Sequence, residues 1–240
     1  MNTTTQVQHG MSPQVKRSVT RWTIRETMGV VMLAVLLFLT AGTVNWLAGW
    51  AMVIIMAGWV VGTALVVIPR YPELLAERVG PRKGAKTWDT VLLSLYGVAM
   101  MIMWIVAGLD VRNNWSSGIE PAAQIMAMLI VIAGHALVVW ATGMNAFFSQ
   151  VVRIQTERGH TVVSGGPYRF VRHPAYVGAI LLVLSSPIML GSWWALIPGV
   201  ICAVLMIVRT ALEDKTLQAE LPGYVDYTQQ TRYRLLPGVW

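Results

Sequence analysis

The chain has 240 residues, of which 55% are hydrophobic and only 12% charged, whereas a soluble domain carries about 25% charged residues. With a mean hydropathy of +0.58, this composition excludes a water-soluble globule. The formal charge of +7 is spread through loops between apolar runs, so it reports orientation in a membrane and not a nucleic-acid partner. The single cysteine, Cys202, lies inside an apolar run, which excludes an intrachain disulfide and a thiolate metal cluster.

Runs of about 20 apolar residues recur, and each can cross a hydrocarbon core about 30 Å thick as a helix. They predict an all-α, polytopic transmembrane helical bundle with about six spans. Residues 1–12, rich in Thr, Gln and Ser, read as disordered. Lys16, Arg17, Arg21, Trp22 and Arg25 read as a juxtamembrane anchor, so residues 1–26 form one N-terminal segment. No cleavable signal peptide is expected, because the leading residues are polar and the apolar run after them is full length.

Two spans, at about 27–44 and 47–68, joined by a tight turn at Asn45, make an N-terminal hairpin over 27–68. Pro69 ends it. The stretch PELLAERV then suits a short interfacial helix, with Pro72 at its first position, Glu73 near its positive end, and Leu74 and Leu75 dipping into the interface. A third span covers about 88–109, a polar loop 110–120, and Pro121 opens a fourth span ending near Met144. Two further apolar segments, 175–190 and 193–212, are joined only by Gly191 and Ser192, a helical hairpin with Pro187 and Pro198 expected to kink its arms. Seventeen of the 18 Lys and Arg residues fall on the side of the termini and only Arg112 falls opposite. By the positive-inside rule both termini face the cytoplasm, which for a bacterial chain means the inner membrane.

Between the fourth span and the last hairpin lies a polar loop, about 146–178, containing HTVVSGGPYRFVRHPAYVG. Ionisable groups are costly near hydrocarbon, so this cluster at a membrane edge marks a functional site. Gly165, Gly166 and Pro167 shape the chain ahead of Tyr168. Arg172 and His173 place a fixed cation and an imidazole ahead of an apolar helix that carries Tyr176 and Gly178. At the far end of the last span, in RTALEDKTL, Arg209 and Glu213 are four apart on one helix face, with Asp214 adjacent. The hairpin brings that face back beside His173 and Tyr176, on the cytoplasmic side.

These two motifs, the tyrosine-rich tail and the PELLAER and KTWD stretches resemble the isoprenylcysteine carboxyl methyltransferase family, and more broadly the phospholipid methyltransferase-like membrane enzymes. The resemblance covers roughly residues 69–240, is most specific over 153–178, and makes 69–240 a methyltransferase-like core. It implies S-adenosylmethionine as cofactor, held by the polar loop and the C-terminal region, and a lipophilic substrate, most simply an isoprenoid-linked carboxylate. It implies cofactor-binding roles for His160, Gly166, Pro167, Tyr168, Arg172, His173 and Tyr176, and catalytic roles for Glu213 and Arg209. Asp214 stands where a second glutamate is common in the family. Glu213 serves either by balancing the sulfonium or by accepting a proton, and Arg209 by pairing with an anionic head group.

Rival readings are a phospholipid amine N-methyltransferase, an NADPH-dependent membrane sterol or isoprenoid reductase, and a non-catalytic lipid-binding protein. The polar loop is short for a bulky dinucleotide, and the fingerprint of three spaced glycines after a strand is missing. No spacing of His or Cys suits a metal. Arg153, Arg158 and Arg169 read as topology anchors, mid-span His135 as a packing histidine, and the tryptophans as interfacial belts. Among Tyr224, Tyr227 and Tyr233, one is a candidate to line the site.

Overall fold

The computed structural model describes residues 11–79, 84–116 and 118–240. The disorder expected for residues 1–12 therefore falls almost wholly outside the described residues.

Helix α1 (Pro13–Ala41) begins after Ser12, whose hydroxyl accepts from the Val15 N–H at 3.3 Å, and ends at Gly42 in the left-handed conformation. It is continuous, so residues 13–25 extend the helix of the first span and are not a separate element. The reason is packing: Trp22 is buried in a cluster with Val67, Leu74 and Leu75, which ties α1 to α2 (Leu47–Arg70) and to the short α3 (Pro72–Val79). Leu74 and Leu75 thus point into protein and not into the membrane interface. Arg25 adds a bond to the Arg78 carbonyl at 2.7 Å and one to Gln150 Oε1 at 3.1 Å.

The remaining helices are α4 (Thr87–Asn113), α5 (Pro121–Met144), α6 (Pro174–Met189), α7 (Leu196–Glu220) and α8 (Tyr224–Gln230). Five of them, α1, α2, α4, α5 and α7, are long and apolar enough to cross a membrane. The 16 residues of α6 reach only about 24 Å at 1.5 Å per residue, short of a core about 30 Å thick. The chain is an integral, multi-pass membrane protein in which α6 completes a bundle of six.

The packing partners run α1–α2, α2–α5, α5–α6, α6–α7, α7–α4 and α4–α1, a closed circuit. At the α5–α6 crossing the backbones touch. A Cβ added to Gly134 would lie 2.9 Å from the Gly178 carbonyl oxygen, and one on Gly178 would lie 2.6 Å from that of Gly134. In lipid no hydrophobic force draws helices together, and small residues permit the close contact that substitutes for it. Between α2 and α5, by contrast, the wall opens into a mostly apolar groove of about 680 Å³ that includes Trp59, Val66, His135 and Met144. His135 donates to the Val131 carbonyl through Nδ1 at 3.0 Å, as a packing histidine would.

The turn of the last hairpin is longer than Gly191–Ser192, spanning residues 190–195 between α6 and α7. Ser192, fully buried, causes this: its hydroxyl donates to Asp110 and accepts from the Ala195 N–H at 3.0 Å. Asp110 also accepts from the Ser116 N–H at 2.7 Å and the Ser116 hydroxyl at 2.6 Å. Pro198 does not kink an arm. It lies in the first turn of α7, where a backbone N–H has no intrahelical partner to lose.

Candidate functional site

The chain from Asn145 to His173 forms a shelf against one end of the bundle, held by its own polar side chains. Gln155 is fully buried and donates to the Phe147 carbonyl at 2.7 Å, and Arg158 reaches the Ala146 carbonyl at 3.0 Å. Arg153 grips both oxygens of Glu77 on α3, at 2.7 and 2.9 Å. Arg153 and Arg158 therefore knit the shelf and are more than topology anchors. His160 stacks on Phe147 with ring centroids 4.6 Å apart, and its Nδ1 accepts from the Gln155 N–H at 3.3 Å. Burial, reinforced by Arg158 and Arg153, lowers the His160 pKa, so the ring is neutral and free to accept.

Gly166 takes a φ of +59° and packs on Met144, opening a one-turn 3₁₀ helix, Gly166–Arg169, that carries Tyr168. The Tyr168 carbonyl accepts from Tyr227 at 2.7 Å and from Thr231 at 3.3 Å. Burial pushes the Tyr168 hydroxyl above the ordinary tyrosine range and that of Tyr227 up to about 12.

The centre of the polar network is Asp214, which is fully buried. It accepts from Arg172 Nε and Nη2 at 2.7 and 2.9 Å, Arg234 Nε at 2.8 Å, Gln218 at 2.8 Å and Tyr224 at 3.0 Å. His173 Nε2 lies 3.3 Å away. Arg172 also donates to the Thr231 and Arg232 carbonyls at 2.8 and 2.7 Å. The N–H groups of Arg172 and His173 bond to the Tyr233 and Arg234 carbonyls at 2.9 and 3.0 Å. These bonds latch the tail across the end of α7.

In front of this network is a narrow cavity. His160, Tyr168, Arg172, His173, Tyr176, Arg209 and Glu213 all line it, whereas Gly166 and Pro167 do not. Tyr176 donates its hydroxyl to Glu213 and stacks parallel to His173 at 5.5 Å. Arg209 lies over the Tyr176 ring at 5.0 Å. The two motifs at the ends of the C-terminal hairpin thus meet in one place. Tyr224 and Tyr227 join the wall, as do Asn145 and Phe147. Asp89 is a residue the sequence reading did not single out: it pairs with Arg209 at 2.6 Å from a position 120 residues away.

A family model described as the isoprenylcysteine carboxyl methyltransferase (ICMT) family matches residues 125–219, the segment that supplies most of this cavity. A probable protein-S-isoprenylcysteine O-methyltransferase of Oryza sativa subsp. indica is 25% identical over 141 residues, covering 55% of this chain and 70% of the rice protein. The protein-S-isoprenylcysteine O-methyltransferase of Rattus norvegicus is 29% identical over 175 residues, covering 67% of this chain and 58% of its own length. An uncharacterised Bacillus subtilis protein, YpbQ, is 32% identical over 108 residues, 44% of this chain and 58% of that protein. In fold, the chain is similar to a eukaryotic intramembrane Ras methyltransferase, ICMT. The TM-score is 0.51 at 17% identity, over 95% of this chain and 99% of that one.

The helical bundle thus has the fold of an integral membrane methyltransferase, and the segment that lines most of its polar cavity matches a methyltransferase family model. The segment 125–219 is what ties the chain to the isoprenylcysteine carboxyl methyltransferase family.

Proposed function

We propose that the chain transfers the methyl group of S-adenosylmethionine to the carboxylate of an isoprenoid-linked acceptor, at a cavity facing the cytoplasm. One observation carries this reading. Glu213, Tyr176, Arg209 and His173, from the two ends of the C-terminal hairpin, face one cavity at a membrane edge inside the family-matched segment.

The residues present suit the cofactor. A sulfonium is a cation, and the lining offers it the Glu213 carboxylate and the aromatic side chains of Phe147, Tyr176 and Tyr224. His160, Tyr168, Arg172 and His173 supply polar and cationic groups around the same space. When bound, S-adenosylmethionine supplies an electrophilic methyl group, already activated by its positive sulfur.

The protein then has to align donor and acceptor and exclude water. A carboxylate acceptor needs no general base, so Glu213, steadied by the Tyr176 hydroxyl, acts by charge. Arg209 faces an anionic acceptor group. Gly166 and Pro167 hold Tyr168 in the wall, and the Arg172–Asp214–tail latch closes the cytoplasmic side. Orientation is supported by charge: the cavity end holds Arg25, Arg78, Arg153 and Lys86, whereas Arg112 sits at the opposite end beside Gly42.

The test is calorimetric titration of the purified protein with S-adenosylhomocysteine, followed by methyl transfer to a farnesylated N-acetylcysteine. Binding together with base-labile methyl ester formation is the expected result. Absence of binding overturns the cofactor assignment, and N-methylated head groups in lipid extracts, in place of ester, overturn the acceptor assignment.

A further inference from the structure

Two buried arginines, Arg172 and Arg209, line the cavity, and they differ in what is left of their guanidinium groups. Arg172 uses every nitrogen on protein: Nε and Nη2 on Asp214, Nη1 on the tail carbonyls. Arg209 uses two of three. Nε donates to Asp89 Oδ1 at 2.6 Å, and Nη2 to the Gln150 carbonyl at 2.9 Å and Asp89 Oδ2 at 3.4 Å. Among the described residues its Nη1 has no partner. Nη1 is not sealed in protein, and on a residue that lines the cavity it is open to an acceptor there. The paired geometry expected for an anionic ligand is instead made with Asp89.

Asp89 is held as firmly as the group it holds. It is fully buried in the first turn of α4, and its Oδ2 also accepts from the Val152 N–H at 2.7 Å. The Lys86 N–H closes the same join by bonding the Val152 carbonyl at 3.2 Å. A buried carboxylate persists only when paired and hydrogen-bonded, and Asp89 is both. It does not itself line the cavity, so it acts through Arg209.

We propose that Asp89 is a positioning residue: it fixes the Arg209 guanidinium so that Nη1 alone faces the cavity and receives the anionic group of the acceptor. The proposal rests on the methyltransferase reading. It makes the start of α4, which lies outside the family-matched segment, part of acceptor selection.

The test uses full-length protein, a farnesylated N-acetylcysteine as acceptor probe, and S-adenosylhomocysteine as calorimetric ligand. Asp89→Asn, which keeps an acceptor for Val152, is expected to lower acceptor kcat/KM by about tenfold to a hundredfold, the scale of a displaced positioning group. S-adenosylhomocysteine affinity should stay within about twofold. In an Arg209→Gln background the same substitution should add less than about twofold, because residues acting as a unit are not additive.

Equal losses in both backgrounds, or a parallel loss of S-adenosylhomocysteine affinity, would show that Asp89 only pins the shelf and would overturn the proposal. If Asp89→Asn does not fold, Asp89→Glu carries the test by moving the guanidinium one methylene, and wild-type acceptor kinetics in that variant overturn it. Wild-type protein that neither binds S-adenosylhomocysteine nor methylates the probe defeats the proposed function and this proposal with it. An active wild type with an unaffected variant defeats this proposal alone.

Discussion

Each end of the bundle buries aspartate side chains that tie distant segments together, and the two ends do so with different partners. At the end beside Arg112, Asp110 accepts among the described residues only from neutral groups, the hydroxyls of Ser116 and Ser192 and one backbone N–H. At the other end Asp214 and Asp89 accept from Arg172, Arg234 and Arg209, and their side chains back onto a cavity. Neutral donors suffice to pin a turn. Cations are needed where charge must be held in place next to an open space, because an unpaired buried charge is too costly to sustain.

The widest gap between the two ends should appear on removing Asp214. Asp214→Ala strands Arg172 and Arg234 and should destabilise the protein by about 3–5 kcal/mol, the usual result of breaking a buried pair. It would be read as a lower apparent melting temperature and faster tryptic cleavage of the tail. Glu213→Gln should lose about 10²–10³-fold in turnover, the scale of one lost electrostatic stabiliser, with its melting temperature unchanged. Wild-type turnover would remove Glu213 from the site.

Asp110→Asn sharpens the contrast from the other side. It should weaken folding by about 1–3 kcal/mol through poorer hydrogen bonding, yet leave turnover per folded molecule as it was. A loss of turnover would mean that the two ends are coupled.

The smallest effect is one of pH. Folded His160 has a pKa below its ordinary 6.5, so the unfolded chain binds more protons below that value and stability falls with pH there. His160→Gln should flatten this decline relative to wild type in melting curves taken across pH 5–7. An identical slope in both proteins would show that His160 is not the group responsible.

Local signals made much of this legible. Pro121 opens α5 and Met144 closes it, as the apolar run indicates, and the spacing of Arg209 and Glu213 places both on the cavity face of α7. Pairings across long separations were not legible. Trp22 looked like an interfacial anchor because its burial depends on Val67 and Leu75, which no local pattern near residue 22 reveals. Asp89 carried a faint signal, an acid at the start of an apolar run, but nothing in the sequence points from it to Arg209. Asp214 was seen as a neighbour of Glu213, although a helix turns adjacent residues about 100° apart. One faces the cavity and the other the latch.

The glycine contact between α5 and α6 has a mechanical consequence. Backbone laid on backbone leaves no compliant side chains to absorb a displacement, so this seam is the stiff side of the circuit and acts as a hinge line. The seam between α2 and α5 is padded by a groove in place of close contact. A sideways load on the bundle would therefore be taken up between α2 and α5 before it separates α5 from α6.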